Sequence, residues 1–211
     1  MTVPARPLRI TVEEYFALDA AAPEGVRYEY WDGYVVPQHG YDETGAVAMA
    51  GASPAHNQIA VNLTAVLAPA MRKRGCRGGQ ADQRVQLPPG RYVYPDLVFA
   101  CGEPRYSDHN PPALLDPTLV VEVASPSTAD SDHGPKREAY TQVESLQAYW
   151  IVEQDRVAVT VYERDGADWR LRRIEGLGAT VESEGLGLAV PLAEIYALVD
   201  LAAEPDASPS R

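Results

Sequence analysis

Lysine is nearly missing from this chain of 211 residues: sixteen arginines stand against two lysines, Lys73 and Lys136. Where arginine serves almost every positive position, a lysine carries information, because its compact ammonium has a tunable pKa that a guanidinium lacks. Cysteine is almost as scarce. Two residues, Cys76 and Cys101, are too few for a disulfide framework. No apolar run approaches the roughly 20 residues that a membrane-spanning helix needs, so no membrane segment is expected. The first residues, MTVPARPLRI, lack the apolar stretch of a secretory signal, and a cytoplasmic protein is the expectation. Positive charge is also short overall. A net charge of -12 argues against a featureless electrostatic grip on nucleic acid, though not against a local basic groove.

What is present suits one globular domain, with 45% hydrophobic and 23% charged residues. We expect it over 11–201, with 1–10 and 203–211 as flexible tails. Thr11 to Glu14 is a capping-box signature that opens a short helix. RYEYWDGYVV, residues 27–36, places aromatic and β-branched residues on both sides of Asp32-Gly33, which predicts a hairpin. Glu29 lies on its first strand, either as a solvated residue or as an accessory carboxylate at the mouth of a site. Residues 37–51 read as a loop. Ser53-Pro54 then opens a helix whose apolar face is Ile59, Leu63, Val66, Leu67, Ala70 and Met71, and Pro69 is expected to kink or end it.

His56, in the first turn of that helix, is a cap, a packing residue or a member of a site. At the far end, Arg72, Lys73, Arg74 and Arg77 satisfy the helix macrodipole. They also form the densest basic patch in the chain, the first place to seek nucleic-acid phosphates. Strands are expected over 83–87 and 92–100, joined by Pro88-Pro89-Gly90, and over 119–124, 148–153, 157–164 and 169–174. A helix near 135–143 precedes the last three, with Asp130, Asp132 and His133 before it as candidate caps, and a closing helix covers 191–198.

Two carboxylates are out of place in this pattern. Asp96 follows Pro95 within the apolar run YVYPDLVFA, and Glu122 interrupts LVVEVA, a strand apolar on both faces and hence central in a sheet. A charge buried in a strand needs a partner or a metal. If their strands are adjacent, Asp96 and Glu122 offer two hard oxygen ligands to one Mg2+, with the Val123 carbonyl as a third. Lys136 and Tyr140 share a helix face four residues apart, and the lysine could orient or activate a water, or stabilise charge on phosphorus. The competing account is a buried ion pair between Glu122 and Lys136.

YPDLVF, LVVEVASPST and KREAY resemble blocks of the Uma-two-like restriction endonuclease family, a branch of the PD-(D/E)xK nuclease superfamily. RYEYWDGYVV, the helix led by His56, LQAYWIV and VTVYER extend the likeness over most of the chain. The resemblance implies an α/β restriction-endonuclease-like core, with a mixed, mostly antiparallel central sheet flanked by helices. It further implies Mg2+- or Mn2+-dependent cleavage of DNA, and a homodimer. Asp96 and Glu122 match the two acidic positions. The lysine usual two residues after the glutamate falls on Ala124, and Lys136 on the following helix takes its place, so Asp96, Glu122 and Lys136 are the implied catalytic set, with Glu29, His56 and Tyr140 accessory. The alternative is an inactive nuclease-fold binding or regulatory module in a mobile-element or defence system.

Overall fold

A computed structural model describes residues 9–38, 53–125 and 128–201. The loop expected over 37–51, apart from its first two residues, and the expected C-terminal tail lie outside the described residues. Thr11 caps α1 (Val12–Ala20) through a complete capping box with Glu14. The hairpin β1 (Tyr28–Trp31) and β2 (Tyr34–Pro37) turns at Asp32 and Gly33, whose φ values of 51° and 95° match the primed turn that fits strand twist. Residues 9 and 10, expected to be part of a loose tail, are tied to this hairpin: the Ile10 amide donates to the Gly33 carbonyl, and the Tyr30 hydroxyl donates to that of Ile10.

Ser53 caps α2 (Pro54–Lys73), which runs through Pro69 instead of ending there. Its buried stripe of Ile59, Leu63, Leu67 and Met71 continues on both sides of the proline and holds the last turn to the sheet. Then come β3 (Cys76–Gln80), which the sequence pattern conceals behind two glycines, β4 (Val85–Leu87), β5 (Arg91–Val93) and β6 (Leu97–Cys101). Cys76 and Cys101 face each other across β3 and β6 and are joined as a disulfide. The single strand expected over 92–100 is two, because Pro95 has no amide hydrogen to continue a ladder. After β7 (Leu119–Ala124) come α3 (Ala129–Ser131), a kinked turn (Asp132–Lys136) and α4 (Arg137–Thr141). β8 (Ala148–Glu153), β9 (Ala158–Asp165) and β10 (Asp168–Glu175) complete the main sheet. A small hairpin, β11 (Thr180–Ser183) and β12 (Leu188–Pro191), leads to α5 (Leu192–Ile195), a shorter closing helix than expected.

The main sheet has the order β10-β9-β8-β7-β6-β3, with only β7 and β8 parallel. A parallel pair needs a crossover, and here it is the α3–α4 segment. Alternation sends Leu119, Val121 and Val123 of β7 toward α2, and Val120 and Ala124 toward α4. Glu122 shares the α4 side. A second antiparallel sheet, β2-β1-β5-β4, lies over that same side and adds Val85, Leu87 and Val93 to its core. The architecture is thus α/β with a mostly antiparallel sheet, and the strand ends at Asp96 and Glu122 are overhung by both a helix and a second sheet.

Candidate active site

Where the β6–β7 ladder stops at Leu97 and Val121, the Asp96 side chain takes over the next rung. Its Oδ2 accepts the Val123 amide at 2.7 Å, and its own amide donates to Glu122 Oε2 at 3.3 Å. The Val123 carbonyl leaves the extended backbone on the same side as its N–H, toward Asp96. The other oxygen, Oδ1, lies 3.3 Å from His56 Nε2. His56 is brought there by the first turn of α2, where its amide donates to the Ser53 hydroxyl.

Lys136 turns inward from the crossover and is 5% exposed. Its Nζ lies 3.2 Å from Glu122 Oε1, 3.2 Å from Glu29 Oε1 and 3.4 Å from Asp132 Oδ1. Ala124, small and on the same face as Glu122, leaves room for a lysine arriving from another element. Tyr140, one helical turn on, donates to Glu122 Oε1 at 3.3 Å. Glu29 is held from the second sheet: the Trp31 indole donates to its Oε2 at 3.1 Å, and the Tyr94 amide to its Oε1 at 3.4 Å. Tyr94 is fixed in turn by a buried knot in which its hydroxyl meets Asp19 and Arg84, and the Arg84 guanidinium pairs with Asp19.

Glu29, Glu122 and Asp132 are buried, with exposures of 5%, 3% and 1%, and all three converge on one ammonium. Asp96 stands alongside. Four carboxylates therefore face one lysine and a histidine, an excess of negative charge where water cannot screen it. Burial pushes the Glu122 carboxyl well above its usual range; Lys136 opposes this, while Asp132, Asp96 and Glu29 add to it. Burial alone would lower Lys136, but the surrounding carboxylates outweigh it and hold the ammonium charged well above its ordinary value. Burial likewise disfavours a charged His56, yet the hydrogen bond and charge of Asp96, with Asp132 behind it, raise it on balance.

Of the residues singled out in the sequence, Asp96, Glu122, Val123, Lys136, Glu29, His56 and Tyr140 are brought together. The basic cluster is not among them. Arg72 lies sixteen residues along α2 from His56, about 24 Å at 1.5 Å per residue. Arg74 there donates to the Gly185 carbonyl, and Arg72 and Arg77 line a separate groove of about 720 Å³ beside β3. Asp132 was expected as a cap and is instead a third buried carboxylate of the site beside Glu29 and Glu122, because the kinked turn faces it inward. Among the described residues, no three side chains of the histidine, cysteine, aspartate and glutamate kind are arranged to hold a metal. Asp96 and Glu122 with the Val123 carbonyl remain a donor set suited to a cation that keeps several waters.

Fold and site together define a nuclease-like α/β protein. The crystal structure of a putative nuclease from Anabaena variabilis superposes with a TM-score of 0.66 at 16% identity, covering 89% of this chain and 97% of that one. Residues 12–193 match the Uma2 family model, described as a putative restriction endonuclease, and the chain belongs to that family. Two uncharacterized proteins of Synechocystis, sll1609 and slr1290, are each 29% identical, over 86% and 92% of this chain and 97% and 95% of their own lengths. No helix of the described residues is long and apolar enough to cross a membrane.

Proposed function

We propose that the chain is a divalent-metal-dependent endonuclease of the PD-(D/E)xK type that hydrolyses DNA phosphodiester bonds. The observation that carries this reading is the excess of carboxylate, three of the four buried: a fold that wanted only an ion pair would not gather Glu29, Asp96, Glu122 and Asp132 around one lysine and a histidine. Asp96, Glu122 and the Val123 carbonyl would hold Mg2+ or Mn2+. Such a cation, when bound, supplies charge stabilisation for a phosphoryl oxygen. The Lys136 ammonium, next to Glu122, is in a position to orient a water or to stabilise negative charge gathering on phosphorus. Tyr140 fixes Glu122, and His56 fixes the free oxygen of Asp96. Arg72, Lys73 and Arg77 are assigned a remote, sequence-independent contact with the DNA backbone. Action as a homodimer in the cytoplasm completes the proposal.

The second reading, an inactive binding module, is favoured by the engagement of Lys136 with three carboxylates and by the net charge of -12. The test is nicking of supercoiled DNA with Mg2+ or Mn2+ by the wild type, Asp96→Ala and Glu122→Ala. Cutting by the wild type alone, with folded variants, is the expected result. Equal cutting by both variants would overturn the assignment of these carboxylates, and no cutting by any protein would favour the binding module.

A further inference from the structure

Among the site's carboxylates, the endonuclease reading leaves Glu29 and Asp132 without a task, and Asp132 is the more deeply buried. It is 1% exposed, and its Oδ1 accepts no hydrogen bond from a described residue while lying 3.4 Å from Lys136 Nζ. Leaving a carboxylate buried in that state costs free energy, so its retention calls for a role.

The backbone around it is equally unusual. Asp132–Lys136 is a kinked turn between two short helices, with Gly134 at φ -108° and ψ -105°, outside the helical region, followed by Pro135. The turn does two things. It places Asp132 and Lys136, four residues apart, both inward on the sheet side, and its start is fixed by the buried Tyr149, whose hydroxyl donates to the Asp132 carbonyl at 3.1 Å. Lysine has a four-carbon stem with ample rotameric freedom. Arriving from a helix, it needs something on its own element to prevent it from folding back to solvent.

We propose that Asp132 is a positioning residue: from the kinked turn that also carries the lysine, its carboxylate steers the Lys136 ammonium against Glu122, with Glu29 contributing from the second sheet. The geometry stands without the endonuclease reading, but the consequence for turnover rests on it. The charge contact lacks hydrogen-bond geometry, so its action is electrostatic and directional along the turn, and a neutral isostere replaces it only in part. Loss of Asp132 would release the lysine from its place without removing Asp96, Glu122 or the Val123 carbonyl.

Because the chain has only two lysines, the prediction can be read directly. In full-length protein carrying 13C at the lysine ε position, NMR shows two ε-methylene signals, assigned with Lys73→Arg. The Lys136 signal should have two inequivalent protons, the mark of a held side chain. Asp132→Ala should collapse it toward the averaged signal of Lys73, and Asp132→Asn should retain part of the inequivalence. Tyr149→Phe loosens the turn but keeps the carboxylate, and should leave the signal split. If DNA is cut, Asp132→Ala should lower kcat roughly 10- to 100-fold with little change in KM, as expected for a misplaced group. An unchanged Lys136 signal in a folded Asp132→Ala protein would overturn the proposal, and so would equal collapse in Tyr149→Phe. Absence of cutting by the wild type would count against the endonuclease reading and leave the NMR comparison decisive for Asp132.

Discussion

Glu122→Gln separates a site from a simple ion pair, because the two accounts predict opposite changes in stability. If Glu122 and Lys136 were an isolated buried pair, the variant would leave an unpaired buried ammonium and cost about 3–5 kcal/mol. The geometry of the site gives a different balance. At 3.2 Å the Lys136–Glu122 attraction is about 5 kcal/mol for an effective dielectric of 20. Glu29 and Asp132, at 3.2 and 3.4 Å from the same nitrogen, can lie no more than about 6.5 Å from Glu122 Oε1, so each repels it by at least about 2.5 kcal/mol. Attraction and repulsion nearly cancel, Asp96 adds further repulsion, and glutamine escapes the burial of a charge. Metal-free Glu122→Gln should therefore be as stable as the wild type or more stable by up to about 2 kcal/mol. For a chain of this size that is a rise in Tm of up to about 8 °C, measured by circular dichroism at pH 7.5 with chelator. The sign also fixes the pH dependence. The folded carboxyl of Glu122 titrates above its unfolded value of about 4.3, so the wild type loses stability from this group as pH rises from there through the folded value. Glu122→Gln lacks that loss, and the two proteins should converge in acid. A drop in Tm of more than about 6 °C at pH 7.5 would refute the reasoning and restore the ion-pair account.

Two further outcomes follow from the same charges. The folded pKa of His56 is raised, so the stability it draws from Asp96 is complete below the unfolded value of about 6.5 and disappears as pH rises through the folded value; His56→Gln should flatten the stability profile over that window, by less than about 1 kcal/mol for a pair this close to solvent, and an unchanged profile in chemical denaturation would remove the pair from the account. Mn2+ at about 100 times its Kd should stabilise the wild type by about 2.7 kcal/mol, roughly 5–11 °C in Tm. Asp96→Ala should lose that shift, and a shift of equal size in the variant would place the ion elsewhere.

Asp96 and Glu122 were legible in the sequence because each puts a charge in an otherwise apolar run, and burial is written in its neighbours. Lys136 and Tyr140 were legible as a helix pair, and the structure adds the direction in which they face. Glu29 was ambiguous for a physical reason: strand alternation assigns a side but does not say what covers it, and here the second sheet does. Pro95 divides two sheets where continuous hydrophobicity suggested one strand, and β3 was hidden because Gly78 and Gly79 carry no side chains to show a pattern. At Gly78 a Cβ would come within 2.7 Å of the Phe99 ring, which explains the glycine only once the partner strand is known. Asp132 was misread for a different reason. An aspartate before a helix ordinarily caps it, and although Gly134-Pro135 marks a break, it does not say which way Asp132 then faces.

The site also accounts for why its lysine comes from a helix. On β7, position 124 lies two residues beyond Glu122 on the same face, and a lysine there would have only the strand's own geometry to aim it. Delivered from the crossover, the ammonium is held between two elements, with Asp132 on its own turn and Glu29 on the second sheet. Displacing it toward solvent would leave those carboxylates facing each other without a cation, so the repulsion that makes the site unfavourable for folding is also what keeps the lysine in place. Natural proteins tolerate such local instability where function requires it. On the proposed function, the same repulsion would favour a second cation beside Asp96 and Glu122, and Lys136 and a metal would then share the neutralisation of the cluster instead of competing for one carboxylate.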